Sequence, residues 1–303
     1  MHPAPSLIVF TVLSGLGLGL IVWTGLGLGP DTALHGLIAC VAALAVTAIG
    51  GSFSVLHLAN PKNAWRAFSQ WRSSWLSREA CLMVATLAVF GLYALAWLFG
   101  GVRLWGLGWL AAGLAGATIY ATAMIYAALR AVPRWSATPT PVLFAALALA
   151  GGLVAARAAQ ALAGSEAGMW HVLPALALAA GITIWWQTQA AGARRSVDGS
   201  SIASATGLGS KGRVRLFERP HTGENYLLKE MAFQVGRRRA FQIRWIGAMA
   251  GFVVPLVLAL LALGLGGWVL VLALLCHIAG MMALRWLFFA EAEHVQALYY
   301  GME

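Results

Sequence analysis

Residues 6–28 of this chain read SLIVFTVLSGLGLGLIVWTGLGL, without a single charged side chain. A helix that spans a membrane needs roughly 20 mostly apolar residues, and this stretch meets that requirement. Its internal glycines, Gly15, Gly17 and Gly19, allow a neighbouring helix to approach closely. The stretch has neither the basic start nor the small-residue cleavage site of a secretion signal, so we interpret it as a permanent transmembrane helix.

Stretches of the same kind recur along the chain and predict an all-α polytopic integral membrane protein. Of the 303 residues, 60% are hydrophobic and only 10% are charged, against about a quarter charged in a soluble domain. The period-2 alternation of transmembrane barrel strands is not evident. We therefore predict about eight transmembrane helices, at residues 6–28, 33–58, 79–100, 104–129, 141–163, 170–190, 245–264 and 267–289.

These helices divide the chain into three parts. Residues 1–190 hold the first six helices and an interfacial segment at 61–77. Residues 191–244 form a cytoplasmic loop, Gly- and Ser-rich in its first half and with the apolar spacing of a helix in its second half. Residues 245–303 hold the last two helices and a C-terminal tail.

The cationic residues are distributed unequally between the connections. Of 20 Lys and Arg residues, seventeen fall after the second, fourth and sixth helices, two (Arg103 and Arg157) fall on the other side, and Arg285 lies in the last helix. With eight helices, the three basic connections share one side with both termini. The positive-inside rule then predicts a cell inner-membrane protein with both termini in the cytoplasm. Topology and contact with anionic lipid account for the net charge of +10, so we expect no nucleic-acid partner.

A cofactor-binding motif is not evident in the sequence. Cys40, Cys81 and Cys276 are isolated within apolar stretches, so we expect no iron–sulfur cluster and no metal ion held by this chain. His35 and His171 lie near helix starts on the sparse side and could face each other as ligands of a b-type haem. Helix-end histidines more often bond to backbone at the headgroup level, and we therefore favour a chain without haem.

Residues 54–79, SVLHLANPKNAWRAFSQWRSSWLSRE, gather polar and aromatic side chains at one membrane edge. Proline disrupts a helix interior, so Pro61 ends the second helix and leaves His57 and Asn60 on its last turn, on nearly one face. The third helix opens with Glu79, which places a carboxylate at the same edge. An imidazole and a carboxylate are thus predicted at one depth.

The residues between them carry an aromatic face. If residues 61–77 are helical, four aromatic side chains cover about a third of the circumference, as in a helix that lies in the membrane interface with its cations turned to water. An ordinary aromatic belt with snorkelling cations would give the same pattern. The four are Trp65, Phe68, Trp71 and Trp75.

Several of these stretches resemble dimethyl sulfoxide reductase membrane-anchor subunits. The run LHLANPKNAWRAF…SWLSREA is similar to the His-Leu-Gly-x-Pro-x-x-Ala and Leu-Ser-x-Glu signature of that family. Family likeness extends to MHPAPSLIVFTVLSGLGLG, IYAALRAVPRWSATPTPVLF and RWLFFAEAEHVQALYYG. Within the family, GLGSKGRVRLFERPHTGENYLLKEMAF and RWLFFAEAEH are similar to anchors of quinone-linked cytoplasmic sulfite dehydrogenases. The chain departs from the family pattern at Ala59, where Gly is more frequent, and at Arg78, where Asn also occurs.

The resemblance implies partners, a function and site residues. Such anchors bind a molybdopterin catalytic subunit and a four-cluster iron–sulfur subunit, hold no haem, and exchange electrons with membrane quinone, either ubiquinone or menaquinone. The family's quinone-site histidine corresponds to His57 and its helix-three carboxylate to Glu79. We add as candidate quinone contacts Asn60, Trp65, Arg66, Arg78 and Tyr126. As candidate contacts of the iron–sulfur subunit we take Arg130, Arg134, His221 and Arg237.

We therefore expect an anchor that passes electrons to quinone, during sulfite oxidation in the catalytic subunit. Reduction of quinone by two electrons takes up two protons, which titratable side chains near its oxygens can supply. The opposite direction, menaquinol oxidation for the reduction of dimethyl sulfoxide or a related S- or N-oxide, stays open. A small-solute transporter is a third possibility, although the broken helices and inverted repeat of transporters are not evident.

Overall fold

A computed structural model describes residues 4–56, 60–165, 168–193, 202–215, 217 and 235–295, with the backbone alone at 169, 202, 205 and 235–238. All regular elements in these ranges are helices, as predicted. The first six are α1 (Pro5–Gly25), α2 (Ala33–Leu56), α3 (Trp75–Gly100), α4 (Trp105–Ala127), α5 (Thr140–Leu162) and α6 (Val172–Ala193). They are followed by α7 (Ile202–Thr206), α8 (Val235–Ala248), α9 (Val254–Leu265) and α10 (Val269–Ala290). Short 3₁₀ helices lie at Pro61–Phe68, Met169–His171 and Gly209–Lys211.

In the described ranges, seven helical segments are long and apolar enough to cross a membrane, one fewer than the eight predicted. They are α1 to α5, the continuous segment Arg239–Leu265, and α10. The difference is α6, which has 22 residues but is less apolar, since its last turns carry Gln187, Thr188 and Gln189. The predicted count therefore exceeds the number of strongly apolar helices by one.

Two hydrogen bonds place α6 across the same depth as α5. At its start, His171 Nδ1 lies 3.1 Å from a guanidinium nitrogen of Arg157, near the end of α5. Near its end, Trp186 donates to the Thr140 hydroxyl at the start of α5, at 2.9 Å. The two helices therefore run antiparallel, side by side.

Helices α1 and α5 form the centre of the bundle and are its two most buried spans. A Cβ atom added to Gly19 of α1 would lie 1.9 Å from the Ala148 carbonyl oxygen of α5, so only glycine permits this approach. A Cβ atom added to Gly17 would likewise collide with Thr47 of α2, 2.7 Å from its backbone nitrogen. Lipid tails are as apolar as the helix surfaces, so the hydrophobic effect does not drive membrane helices together. Close packing of small residues stabilises their association instead.

A π-helical turn at Met249–Val253 joins α8 to α9, and Pro255 explains it. Proline has no N–H, so the carbonyl of Gly251, four residues earlier, loses its helical partner, and the ring crowds that carbonyl. This carbonyl oxygen instead lies 2.7 Å from Nδ1 of His277 on α10. The contact requires the hydrogen of the neutral His277 ring to be on Nδ1, which leaves Nε2 as an acceptor.

Candidate functional site

Glu79 lies in the interior of the helix bundle, near the start of α3. Helix α3 begins at Trp75, four residues earlier than predicted, so Glu79 falls in its second turn. Its side chain is buried between α3 and α4, with 4% of the residue exposed. There the hydroxyl of Thr122 donates a hydrogen bond to the carboxylate. A buried carboxylate is costly in a membrane-spanning helix, which makes Glu79 a candidate functional group.

The Thr122 hydroxyl can satisfy both protonation states of Glu79. It lies 3.0 Å from the carbonyl oxygen of Thr118 as well as against the carboxylate. When Glu79 is ionised, the hydroxyl donates to it. When Glu79 carries a proton, the acid can donate to the hydroxyl, which then turns its own hydrogen to Thr118, because a hydroxyl is both donor and acceptor. The contact between the Thr122 hydroxyl and Glu79 Oε1 can therefore persist whether Glu79 holds or has released a proton.

Other described members of the predicted quinone site lie outside this interface. Asn60, Trp65 and Arg66 are exposed, on and beside the 3₁₀ helix Pro61–Phe68. Arg78 is half-buried, with its guanidinium 4.3 Å from the Trp75 ring. His57 lies outside the described residues. The structure thus separates an exposed group of candidates from the buried Glu79.

The predicted interfacial segment is not one helix. The eight-residue 3₁₀ helix Pro61–Phe68 is followed by turns, and a hydrogen bond from Ser77 to the Ala67 carbonyl holds it against the start of α3. Trp75 is already part of α3, where its ring meets Tyr120 of α4 edge-on at 5.8 Å. Proline at the start and the short turns that follow account for the break. The remaining aromatic side chains are exposed, as lipid contact requires: Trp65, Phe68 and Trp71.

Tyr126 belongs to the protein interior. It lies one turn beyond Thr122 on α4, the residue that bonds Glu79. Its ring is at the centre of an aromatic cluster, 5.4–5.6 Å from four other ring centroids. The four rings are those of Trp135, Phe144, Phe288 and Phe289.

A cavity of about 60 Å³, counted as the space open to the centres of water molecules, lies beside this cluster. Its walls come from α1, α4, α5, α6, α8 and α10 and are mostly apolar. Its polar lining residues are Thr11, Ser14, Thr122, Arg134, Thr183, Gln187, Arg244, His277, Arg285 and Glu291. Sequence reasoning missed this cavity, although the arginine of the last helix was a signal, because charged residues within spans mark functional sites.

An ion-pair triad borders the cavity at the end where α5 begins. The Glu291 carboxylate, just after α10, bonds Arg134 of the α4–α5 connection at 2.5 Å and Arg244 of α8 at 2.6 Å. Arg134 is buried in this contact. It therefore joins parts of this chain, whereas the prediction placed it against a partner subunit.

Of the other predicted docking residues, Arg130 is exposed. His221 lies outside the described residues, as does the side chain of Arg237. Elsewhere in the described loop, Lys211, Arg213, Arg215 and Phe217 are all exposed.

The two histidines weighed as haem ligands have other partners. His35 is buried, with Nε2 3.4 Å from the Leu28 carbonyl oxygen, and His171 contacts Arg157. Within the described ranges, no group of three or more His, Cys, Asp or Glu side chains is arranged to hold a metal ion.

The fold and the site define a multi-pass helical membrane protein with a carboxylate–hydroxyl pair enclosed between two spans. The family described as DMSO reductase anchor subunit (DmsC) matches residues 1–301, so the chain belongs to this family and is a membrane anchor of an oxidoreductase complex. It is 30% identical over 331 aligned positions, covering 99% of each chain, to the C subunit of the sulfite dehydrogenase of Allochromatium vinosum. No solved structure matches the chain.

Proposed function

We propose that this chain anchors a molybdopterin sulfite dehydrogenase and passes electrons from an iron–sulfur subunit to membrane quinone. The similarity to the C subunit of a sulfite dehydrogenase extends over nearly the full length of both chains, which supports the same assembly here. Sulfite and water would give sulfate, two protons and two electrons in the catalytic subunit. The electrons would pass through the iron–sulfur clusters of the partner subunit, and quinone would take them up with two protons.

The observation that carries the quinone role is the buried pair of Glu79 and Thr122. A carboxylate enclosed between membrane-spanning helices is expensive, and a hydroxyl that serves both of its protonation states suits a group that exchanges protons. Its position in the chain is that of the family's helix-three carboxylate. His57, at the end of the preceding span, would be the second titratable group of the site.

The described part of the long loop supports docking of a partner subunit. Phe217 is fully exposed and Leu208 is 46% exposed. The cations Lys211 and Arg213, which lie between them in the chain, are also exposed. Aromatic residues and arginine are enriched at protein–protein interfaces. The chain offers no cofactor motif that could relay electrons across the bilayer, so the docking face and the quinone site should lie at the same membrane surface. We place that surface in the cytoplasm, with both termini, at the inner membrane.

Affinity purification of the whole assembly tests this proposal. Tagged chain, co-expressed with the iron–sulfur and molybdenum subunits encoded in its source genome, should retain molybdenum and iron in fixed ratio to itself. Recovery of the chain alone, from cells in which the other two subunits are made and soluble, would contradict the proposal and favour the transporter alternative.

A further inference from the structure

Arg285 of α10 is a buried cation, and its guanidinium N–H groups form no hydrogen bond with the residues that the structure describes. Only 6% of the residue is exposed. Its guanidinium lies 4.0 Å from the Phe144 ring centroid and 5.2 Å from that of Phe288, which stabilises the charge through the ring faces. In the part of the chain that the structure describes, none of its N–H donors has a hydrogen-bond or ion-pair partner. Its donors are not among the fully enclosed side-chain atoms, and Arg285 lines a cavity. An acceptor bound in that cavity would satisfy donors that the protein leaves without a partner.

The lining of the cavity suits an apolar molecule that carries polar groups. Arg285 and His277 are eight residues apart on α10, about 12 Å along the helix axis. Both line the cavity, and between them its wall is formed by aromatic and aliphatic side chains that include Phe144, Trp186 and Leu147. A volume of 60 Å³ by this measure holds about four water molecules, at roughly 15 Å³ each.

The cavity is open to the protein surface, and one of its lining residues bonds the titratable Glu79. The cavity reaches the protein surface, since six of its lining residues are partly exposed: Gly15, Leu147, Gln187, Arg244, Leu284 and Glu291. Thr122 lines the cavity with the same side chain that bonds Glu79. A molecule in the cavity would therefore lie beside the residue that bonds the buried carboxylate.

We propose that this cavity binds the quinone head group and that Arg285 donates a hydrogen bond to one quinone oxygen. The proposal rests on the quinone role proposed above and assigns the ring to the interior of the bundle, not to the exposed surface around Trp65. Two electrons from the iron–sulfur partner and two protons convert both C=O groups to C–OH. A guanidinium does not give up its proton, so Arg285 is a positioning residue that orients and polarises one oxygen, and Glu79, through Thr122, is a proton source. Apolar walls favour a neutral quinone over a small anion as the occupant.

Photolabelling of the wild-type complex in membranes tests the location directly. A ubiquinone carrying an azido group on its ring is photolysed in the complex, and labelled peptides are mapped by mass spectrometry with and without excess decylubiquinone. We expect displaceable label on the peptides of α5 and α10 that contain Phe144, Met281 or Phe288. Displaceable label on residues 61–77 would overturn the cavity assignment while leaving the quinone role intact. Absence of any displaceable label, in a complex that oxidises sulfite with an artificial dye, would contradict the quinone role itself and the cavity with it.

Substitutions measure the contribution of Arg285. Dye-linked sulfite oxidation measures how much complex has assembled in each variant. Arg285→Leu should raise the KM for quinone at least tenfold in the assembled complex. Arg285→Lys keeps a hydrogen-bond donor, so its KM should lie close to that of the wild type. Gly15→Leu should also raise the KM, since Gly15 lines the cavity and a Cβ there meets only Ala148, at 3.8 Å. Arg157→Leu, at the opposite end of the bundle and outside the cavity lining, is the matched buried-arginine control and should leave the KM unchanged. An unchanged KM in Arg285→Leu would overturn the assignment.

Discussion

The hydroxyl of Thr122 on α4 donates a hydrogen bond to the carboxylate of Glu79 on α3, between two helices that span the membrane. The same threonine lines the cavity that contains Arg285. One side chain thus connects the buried acid to the space in which we place the quinone. A proton that leaves Glu79 towards the cavity has a hydroxyl in its path.

Glu79→Gln should reduce quinone-linked sulfite oxidation by about a hundredfold or more, the usual range for loss of an acid–base group. Dye-linked oxidation by the partner subunits should persist, because it bypasses the anchor. Thr122→Val should cost about tenfold, the effect of one lost hydrogen bond to a charged group. Both rates are measured on the same membranes, so that their ratio reports the quinone step.

The matched control is Thr86→Val, which removes a hydroxyl contact at the same α3–α4 interface. The Thr86 and Thr118 hydroxyl oxygens lie 3.0 Å apart, and Thr86 does not contact Glu79 in the structure. We expect this variant to behave as wild type in both assays. Equal losses in Thr86→Val and Glu79→Gln would indicate damaged helix packing and would argue against a role for the acid.

Glu291→Gln should destabilise the bundle, because it leaves Arg134 and Arg244 without their shared carboxylate. Removing one partner of a buried ion pair costs about 3–5 kcal/mol, and we expect the lower end because Arg244 is partly exposed. The midpoint of thermal unfolding in detergent should fall by several degrees. Asp31→Asn removes the 3.1 Å pair with Arg103, in which Asp31 is 65% exposed, and should cost under about 1 kcal/mol. A larger effect from Asp31→Asn would contradict this ranking.

Deletion of residues 208–224 should release the iron–sulfur and molybdenum subunits from the membrane. The described part of this segment exposes Phe217 and several cations, and we expect it to bury them against the partner. Immunoblots of soluble and membrane fractions measure the release, with the amount of anchor in the membrane as the control. Full retention of the catalytic subunits would mean that the loop is only a linker.

Reporter fusions at Glu303 and Glu166 check the orientation. A reporter that is active only in the cytoplasm should work at Glu303 and fail at Glu166, since the basic connections and both termini are predicted to be cytoplasmic. This result also requires α6 to cross the membrane, in spite of its polar last turns. The reverse pattern would place the docking face outside the cytoplasm and favour the S- or N-oxide reductase alternative.

The positions of the membrane helices could be predicted from composition, because a bilayer admits only long apolar helices whose backbone bonds are internal. The prediction for residues 104–129 agrees with α4, Trp105–Ala127. Of the three glycines predicted to allow close approach, Gly17 and Gly19 do so, whereas a Cβ atom at Gly15 would make only an ordinary 3.8 Å contact. The start of α3 was wrong by four residues, because its first turn is amphipathic and does not stand out from the interfacial segment. The earlier start places Glu79 in the second turn of α3 instead of at its first residue.

The interior of the site could not be read from the sequence. Thr122 and Glu79 are 43 residues apart, and Glu291 is 157 residues from Arg134. Such pairs form only when the helices pack, so they cannot be predicted from the spacing of neighbouring residues in the sequence. Arg285 was visible as a charge in an apolar helix, but its aromatic neighbours and the cavity depend on how α4, α5, α6 and α10 meet. The family resemblance indicated Glu79, and packing supplied the residues around it.

Sulfite-dependent quinone reduction by the purified complex tests the central claim most directly. The complex is isolated through a tag on this chain, given sulfite, and followed by the loss of decylubiquinone or of a menaquinone analogue. We predict stoichiometric quinol and sulfate, together with a His57→Ala complex that oxidises sulfite with dye but has lost quinone reduction. A wild-type complex with full dye-linked activity and no quinone reduction, or one that only oxidises menaquinol with an S- or N-oxide as acceptor, would contradict the account.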